Sequence, residues 1–409
     1  MFNAEMKLKR FVQRGLAAAA LLGAAGMTGA HAAPYGPYAS TPGEASLASS
    51  LDSANSAPAG DRAAMLQSLD ALPTAAERAD ALGQLSARSY SLLPRLSIQS
   101  MDSADREIRS YLVERRNIAS SASADVPVRG DRTINMMLVG GLKQATYEGR
   151  VDRPEAKSDS RSVRFAIDVS PIENLIVGAT LGIDGIDAKL DSGQKPRITA
   201  FNTNIGPYAS FNNGKFYIDA TAGYNFSEFK LRRQVGWTGF SDRMRANVDG
   251  DGWHATTEVG AMLRAASIKL QPFVGLQYRY ADIGGFMEGG GAASLEVASY
   301  RTKSLRGTVG ARASATIDTG RWAIRPSIEA QYQRELRSQP DSRIEARFVA
   351  RDLDIFTLNP TRLSRNAALL SAGASATYNS RTTFRLGYTG ELSSDRHVHA
   401  AVLSVSRRF

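Results

Sequence analysis

The 409 residues contain no cysteine and only four histidines. The first absence excludes disulfide frameworks, thiolate metal sites and cysteine nucleophiles. The second excludes a histidine-rich metal centre. Nowhere does an apolar stretch reach the roughly 18 residues a membrane-spanning helix needs, and mean hydropathy is −0.25. Neither fact excludes a membrane β-barrel, whose spans are short and only alternately apolar. What is present suits a folded chain: 43% of residues are hydrophobic and 22% charged, unlike the composition of disorder. Fifty Lys and Arg against 40 Asp and Glu leave a net charge of +10. Such an excess invites a nucleic-acid partner, so its location matters.

The N-terminus reads as an address. Lys7, Lys9, Arg10 and Arg14 precede an uncharged run from Gly15 to about Met27, and Ala30-His31-Ala32 has the small-x-small form of a cleavage site. Those three parts in that order predict a secretory signal peptide, 1–32, cut after Ala32. An exported chain without cysteine suits an oxidising compartment.

Pro34 to about Gly60 is rich in Ala, Ser, Pro and Gly and reads as linker. From Asp61 to Asn117 the period is helical. Leu66, Leu69 and Leu72 precede Pro73; Leu82, Leu85 and Tyr90 precede Pro94; Ile98, Met101, Ile108, Tyr111 and Leu112 lie near one face of a third helix. The prolines divide the three.

From Asp131 to Phe409 the period becomes two. Leu175, Val177, Ala179, Leu181 and Ile183 alternate with Gly178, Thr180, Gly182 and Asp184, and Phe216, Ile218, Tyr224 and Phe226 with Asp219, Thr221 and Asn225. Candidate strands fall near 132–146, 161–170, 174–187, 197–211, 215–231, 252–265, 268–281, 302–317, 321–336, 364–378, 381–392 and 397–409. Their connections alternate short and long. The short ones are Pro171 to Glu173, Asn212 to Gly214, Ala266-Ser267, Asp318 to Gly320 and Asn379-Ser380; the long ones include 232–251, 282–301 and 337–363. A meander with tight turns at one end and long loops at the other is the outer-membrane pattern, whereas a Greek-key sandwich has no reason for it. The predicted fold is therefore all-β and transmembrane, an antiparallel barrel of about 12 strands. In lipid the sheet must close. A barrel of that size encloses more space than side chains fill, so the preceding helical segment is the expected plug.

Several stretches then match a known family in order and spacing. Leu82-Gly-Gln-Leu-Ser86 with Ser89-Tyr90 resembles the pre-barrel helix of type V autotransporters. Leu270-Gln-Pro-Phe273, Gly285-Phe-Met-Glu-Gly289, Leu305-Arg-Gly307 with Gly310, and Tyr388-Thr-Gly-Glu391 resemble that family's strands and loop. The ending Ala401, Leu403, Val405 and Phe409 is similar to the assembly signal read by the barrel insertion machinery, although Arg407 departs from it. The resemblance covers roughly residues 78–409. It implies an outer-membrane translocator in a Gram-negative bacterium that anchors and exports its own N-terminal segment. The implied division is signal peptide 1–32, linker or vestigial passenger 33–60, helical segment with pore helix 61–125, and barrel 126–409. The passenger so implied is very short and has no β-helix repeats. Expected partners are outer-membrane lipid and lipopolysaccharide, insertion machinery, periplasmic chaperones and the chain's own helix in the pore. The barrel is expected to be a monomer without cofactor, metal or nucleic acid. The alternative is a porin-like plugged channel, or an adhesin acting through loops 232–251 and 337–363.

Candidate chemistry is sparse. Arg279, Arg306, Arg312, Arg325, Arg385, Glu258 and Glu329 share the polar phase of their strands. They read as lumen-facing charges that hold a helix and tune ion passage, or as charges merely kept from lipid. His397 beside Asp395 lacks a nucleophile and a positioning partner, so no enzyme is expected. Gly289-Gly290-Gly291 lacks the Lys-Ser/Thr of a phosphate loop. Asn117 is followed by Ile118 rather than a second Asn and reads as a helix C-cap. Tyr278, Tyr280, Trp322, Tyr332, Tyr378, Tyr388 and Phe409 fall where a membrane-interface girdle would lie.

Overall fold

A computed structural model describes residues 34–53, 60–86, 88–119, 133–149, 155–191, 196–265, 267–337, 343–350, 353–358 and 363–409. Ala30 and Ala32, the expected cleavage residues, lie outside the described residues.

Alternating side chains and tight turns make twelve long antiparallel strands. They are β1 (Ile134–Tyr147), β2 (Glu155–Ile172), β3 (Leu175–Asp191), β4 (Arg197–Asn212), β5 (Phe216–Trp237), β6 (Phe240–Ala261), β7 (Ile268–Ile283), β8 (Tyr300–Ala315), β9 (Trp322–Glu335), β10 (Asn366–Tyr378), β11 (Thr382–Ser393) and β12 (Arg396–Arg408). Short pieces at Leu263–Ala265 and Ile317–Asp318 continue β6 and β8 past local irregularities. Each strand pairs with its sequence neighbour. β1 also pairs with β12, from Asn135 opposite Arg408 to Tyr147 opposite Arg396. That closure leaves no unpaired edge to lipid, where each orphaned backbone group costs several kcal/mol.

The tight turns have the chemistry their geometry requires. Gly214 and Gly320 occupy the left-handed region at φ 86° and 80°. Asn379 and Ser380 both have positive φ, as the two-residue hairpin twist demands.

The outward phase is apolar over most of each strand. Leu181, Ile183, Phe226, Val274, Ile328, Leu386 and Leu403 are all exposed there, as a lipid-facing band is. Towards the loop end the phase inverts. Ile186, Ala188 and Leu190 on β3, Ile198 and Ala200 on β4, Phe229, Leu231 and Val235 on β5, and Met244 and Val248 on β6 point inward and are buried. Their outward neighbours there are polar.

The inversion exists because the mouth is filled by the N-terminal region, in four helices: α1 (Pro42–Asp52), α2 (Asp61–Asp70), α3 (Ala75–Leu85) and α4 (Leu93–Ala119). The linker reading of 34–60 is corrected by α1. A capping box starts it: Glu44 donates its backbone N–H to Thr41 Oγ1 at 3.1 Å, and Glu44 accepts from the Thr41 N–H at 3.1 Å. Leu47, Ala48 and Leu51 then bury one face. The same box recurs at Thr74 and Glu77, one residue after Pro73. The long connections are also more ordered than expected. Residues 232–251 are no loop: β5 and β6 run through them to a turn at Thr238-Gly239. Loops 282–301 and 337–363 contribute a small four-stranded sheet, ordered 356–358, 344–348, 295–297 and 286–287. One core unites these parts: Leu47, Met65, Leu69, Leu82 and Leu85 from the helices, Phe348 and Phe356 from the sheet, and Phe229 and Val235 from the barrel.

Candidate functional site: a lumen filled by the chain's own helix

α4 carries an apolar stripe of Ile98, Met101, Ile108, Tyr111 and Leu112, but the rest of its surface is polar and charged. Pro94 sits in its first turn, where no intrahelical donor is lost. At 1.5 Å per residue its 27 residues extend about 40 Å, enough to cross a hydrocarbon core of about 30 Å. The barrel walls are shaped to receive it. A side chain on Gly252 would collide with the backbone carbonyl oxygen of Tyr280 on the next strand and would also meet Met101 Cε at 2.5 Å, so glycine is required there and leaves room for the methionine.

Charge complementarity runs both ways along the helix. At the loop end Arg95 donates to Asp395 at 2.8 Å. Below it, Asp102 accepts from Arg279 at 3.2 Å, and Asp105 meets Arg279 and His254 Nδ1, the latter at 3.0 Å. Thr221 and Thr256 each donate to Asp105 at 2.7 Å. Arg106 reaches Glu391 at 3.2 Å, and Glu107 accepts from Arg164 at 2.8 Å. Arg109 meets Glu329 at 2.8 Å, Gln331 at 2.9 Å and Glu258 at 3.3 Å. Near the turn end Glu114 faces Arg325 at 3.4 Å and Arg385 at 3.9 Å. Arg115 reaches Asp168 at 3.2 Å, and Arg116 donates to Asp219 at 2.6 Å with its guanidinium 3.8 Å from the Tyr217 ring centre. The helix thus supplies acid to barrel arginines and arginine to barrel acids.

The predicted lumen charges sit inside the barrel with these partners. Arg279, Arg325, Arg385, Glu258 and Glu329 touch α4. Arg312 grips Glu258 at 2.6 and 2.8 Å and also contacts Glu329. Arg306 bonds within the wall, to Glu335 at 3.4 Å. The reading of the sequence missed the helix half of every pair, and Arg164, Asp168, Asp219 and Glu391 on the wall. The signal was available: each has the polar phase of its strand. Packing is incomplete on one side of α4. Two cavities of about 50 Å³ lie there, both lined by Arg106, Ser110, Thr389 and Val402.

Other candidates are placed differently. Asp395 faces Arg95, whereas His397 Nε2 lies 2.8 Å from exposed Glu148; the two do not form a pair. Asn117 is a helical residue, not a cap, because α4 runs to Ala119. Its side-chain oxygen accepts from Gln271 at 3.3 Å and its carbonyl from Lys269 at 3.2 Å. Of the expected girdle, Trp322, Tyr332, Tyr388 and Phe409 are exposed and Tyr278, Tyr280 and Tyr378 half-buried. Ala401, Leu403 and Phe409 are exposed and Val405 half-buried on and after β12.

Where α4 begins, a buried polar knot ties it to the mouth. Arg233 of β5 donates to Glu288 at 2.6 and 2.9 Å and to the Ala293 carbonyl at 2.9 Å. Tyr90 donates to the same Glu288, and Tyr300 donates to the Tyr90 carbonyl at 2.7 Å. Burial, reinforced by the Glu288 carboxylate, pushes the Tyr90 hydroxyl well above its ordinary range, so it stays a proton donor. Trp237, at the tip of the β5–β6 ribbon, donates its indole N–H to Ser68 at 3.0 Å.

A closed twelve-stranded barrel with an apolar outer band and a helix through its lumen defines an outer-membrane translocator of the plugged type. The autotransporter β-domain family model matches residues 139–389, and the chain belongs to that family. Its fold is similar to the translocator domain of the autotransporter NalP from Neisseria meningitidis, with TM-score 0.60 and 14% identity over 79% of this chain and 100% of that one. It is also similar to the β-domain of the Bordetella autotransporter BrkA, with TM-score 0.50 and 12% identity over 68% of this chain and 100% of that one. A Serratia marcescens protein named an extracellular serine protease is 26% identical over 220 residues, 54% of this chain. That match spans 21% of the protease's own length. The chain is therefore an outer-membrane translocator barrel of a Gram-negative bacterium.

Proposed function

We propose that this barrel exports its own N-terminal segment and retains residues 34–92 at the cell surface as a folded cap. The observation that carries this is the single apolar core shared by α1–α3, the external loops and the inward faces of β3–β6. A segment merely in transit would need no such core. The work proposed is transport and anchoring, without catalysis, cofactor or nucleic acid. The lumen charges hold α4 in register, and Ala401, Leu403, Val405 and Phe409 serve as the signal for the insertion machinery. Periplasmic chaperones deliver a monomeric barrel. Protease shaving of intact cells tests the reading. A tag placed before Pro34 should be removed from outside while α1–α3 and the barrel resist; loss of α1–α3 with the tag would refute the cap.

The two cavities beside α4 favour a narrow water path as a second activity, the plugged-channel reading. Planar-bilayer currents should be small for the full chain and large once residues 34–119 are deleted. Equal currents from the two proteins would refute the plug.

A further inference from the structure

On the outward face of the sheet a row of cations crosses five strands: Lys157, Lys189, Arg197, Arg232 and Arg245, all exposed. The register sets each directly opposite the next. Lys157 faces Lys189, Lys189 faces Arg197, Arg197 faces Arg232, and Arg232 faces Arg245. At about 4.8 Å between strands the row spans about 19 Å. Thr146 ends it on β1, and Gly289 bridges to Arg245 at the other side. Like charges directly opposite destabilise a sheet, and here the pairing repeats four times in succession. Asp187 pairs with Arg197, and Glu155 lies 3.8 Å from Lys157. No carboxylate among the described residues lies within ion-pair distance of Lys189, Arg232 or Arg245.

Height and direction say what the row meets. Arg197 is four residues from Phe201, which is exposed in the lipid-facing band. On strands tilted about 40° that separation places Arg197 about 10 Å above Phe201 along the membrane normal, and the same tilt spreads the row over about 12 Å of height. The inward side of the same strands is the apolar cap core, so these cations play no part in the lumen. They point sideways, along the plane of the membrane, at head-group height. A soluble polyanion would have to approach through the leaflet; an anionic lipid is already there.

We propose that this row binds the phosphate groups on the lipid-proximal saccharides of lipopolysaccharide in the outer leaflet. The ligand supplies negative charge to Lys189, Arg232 and Arg245, which no carboxylate among the described residues pairs with, and seats the β2–β6 side of the barrel at a defined depth. This rests on the reading above that the loop end faces outward.

The test titrates the full chain, folded in detergent micelles, with rough lipopolysaccharide and with the same material enzymatically stripped of phosphate, by calorimetry. Wild-type protein should bind the phosphorylated form at least tenfold more tightly. The triple variant Lys189→Glu, Arg232→Glu, Arg245→Glu should lose at least tenfold in affinity while keeping the heat-modifiable mobility of a folded barrel. Lys215→Glu, a single charge reversal at the opposite end, should bind as wild type does. Equal affinity for the two lipid forms, or undiminished binding by the triple variant, would overturn the proposal. A separate arm checks orientation. The native chain has no cysteine, so Thr238→Cys gives a single thiol at the ribbon tip, which an impermeant maleimide should label on intact cells. Labelling only after lysis would overturn the outward reading itself, whatever the titration shows.

Discussion

The two ends of the barrel use opposite patterns on the same strands. Over most of β3, outward Leu181 and Ile183 meet lipid while inward Thr180 and Asp184 face the helix; eight residues after Leu181, outward Lys189 is charged and inward Ala188 and Leu190 are buried in the cap. The membrane region holds its occupant by ion pairs, and the mouth holds its occupant by apolar packing. Each suits its place. Buried ion pairs add little net stability but are strict about geometry, so they fix the rotation and height of α4 and leave water-sized gaps. Apolar contact is non-directional and scales with area, so it seals the mouth.

That contrast can be broken at either end. Glu258 is the point where Arg312 and Arg109 converge. Glu258→Ala should cost about 3–5 kcal/mol, because it removes one of the two carboxylates that balance this buried pair of cations. The two cations would then share the Glu329 carboxylate alone; the loss would be read as a lower temperature for conversion of the folded form in electrophoresis, and adding Arg312→Met should recover about half of it. Leu82, fully buried in the cap, should lose about 2–5 kcal/mol on Leu82→Ala. Here the damage should be local: hydrogen exchange quickens over α1–α3 while the barrel's transition stays put. A shift of both together would mean that cap and barrel unfold as one unit.

A pair of changes on one face of β3 sharpens the boundary. Leu181→Arg places a charge against lipid and should cost about 2–4 kcal/mol. Lys189→Leu, on the same face above the boundary, should change folding stability by no more than about 0.5 kcal/mol. Equal costs, measured by urea unfolding in vesicles, would refute the inversion. The smallest effect expected is at the cap's first helix. Thr41→Ala removes the box that starts α1 and should cost about 1 kcal/mol, seen as faster exchange of the Glu44 amide, which loses its acceptor, with no change beyond the first turn.

Much of the barrel was legible because lipid imposes a strict alternation on each strand. Leu175 to Ile183 and Phe216 to Phe226 carry it plainly, and the tight turns carry Gly214, Gly320 and Asn379. The phase inversion hid the upper strands. Past Phe226 the apolar residues move to the other face, at Phe229, Leu231 and Val235, so a search for one continuous apolar face stops near residue 231 and reads 232–251 as loop. The cap was hidden for a related reason. The Ala- and Ser-rich stretch around Leu47 has too few apolar residues to form a core alone; it becomes helix because Phe348, Phe356 and Leu358 cover it.

The sequence by itself determined the topology of this protein: a meander that must close, a helical segment before it, and charges kept on one phase. These follow from local rules, the period of a strand and the refusal of lipid to take charge. Only the tertiary structure decided which charges meet. Asp105 with Arg279, Arg109 with Glu329 and Arg116 with Asp219 are each more than a hundred residues apart, and closure of the sheet around the helix brings them together. The cation row is of the same kind. Five basic residues scattered from Lys157 to Arg245 look unremarkable in a chain of net charge +10. Strand register, a property of paired backbones and not of any one segment, sets them side by side.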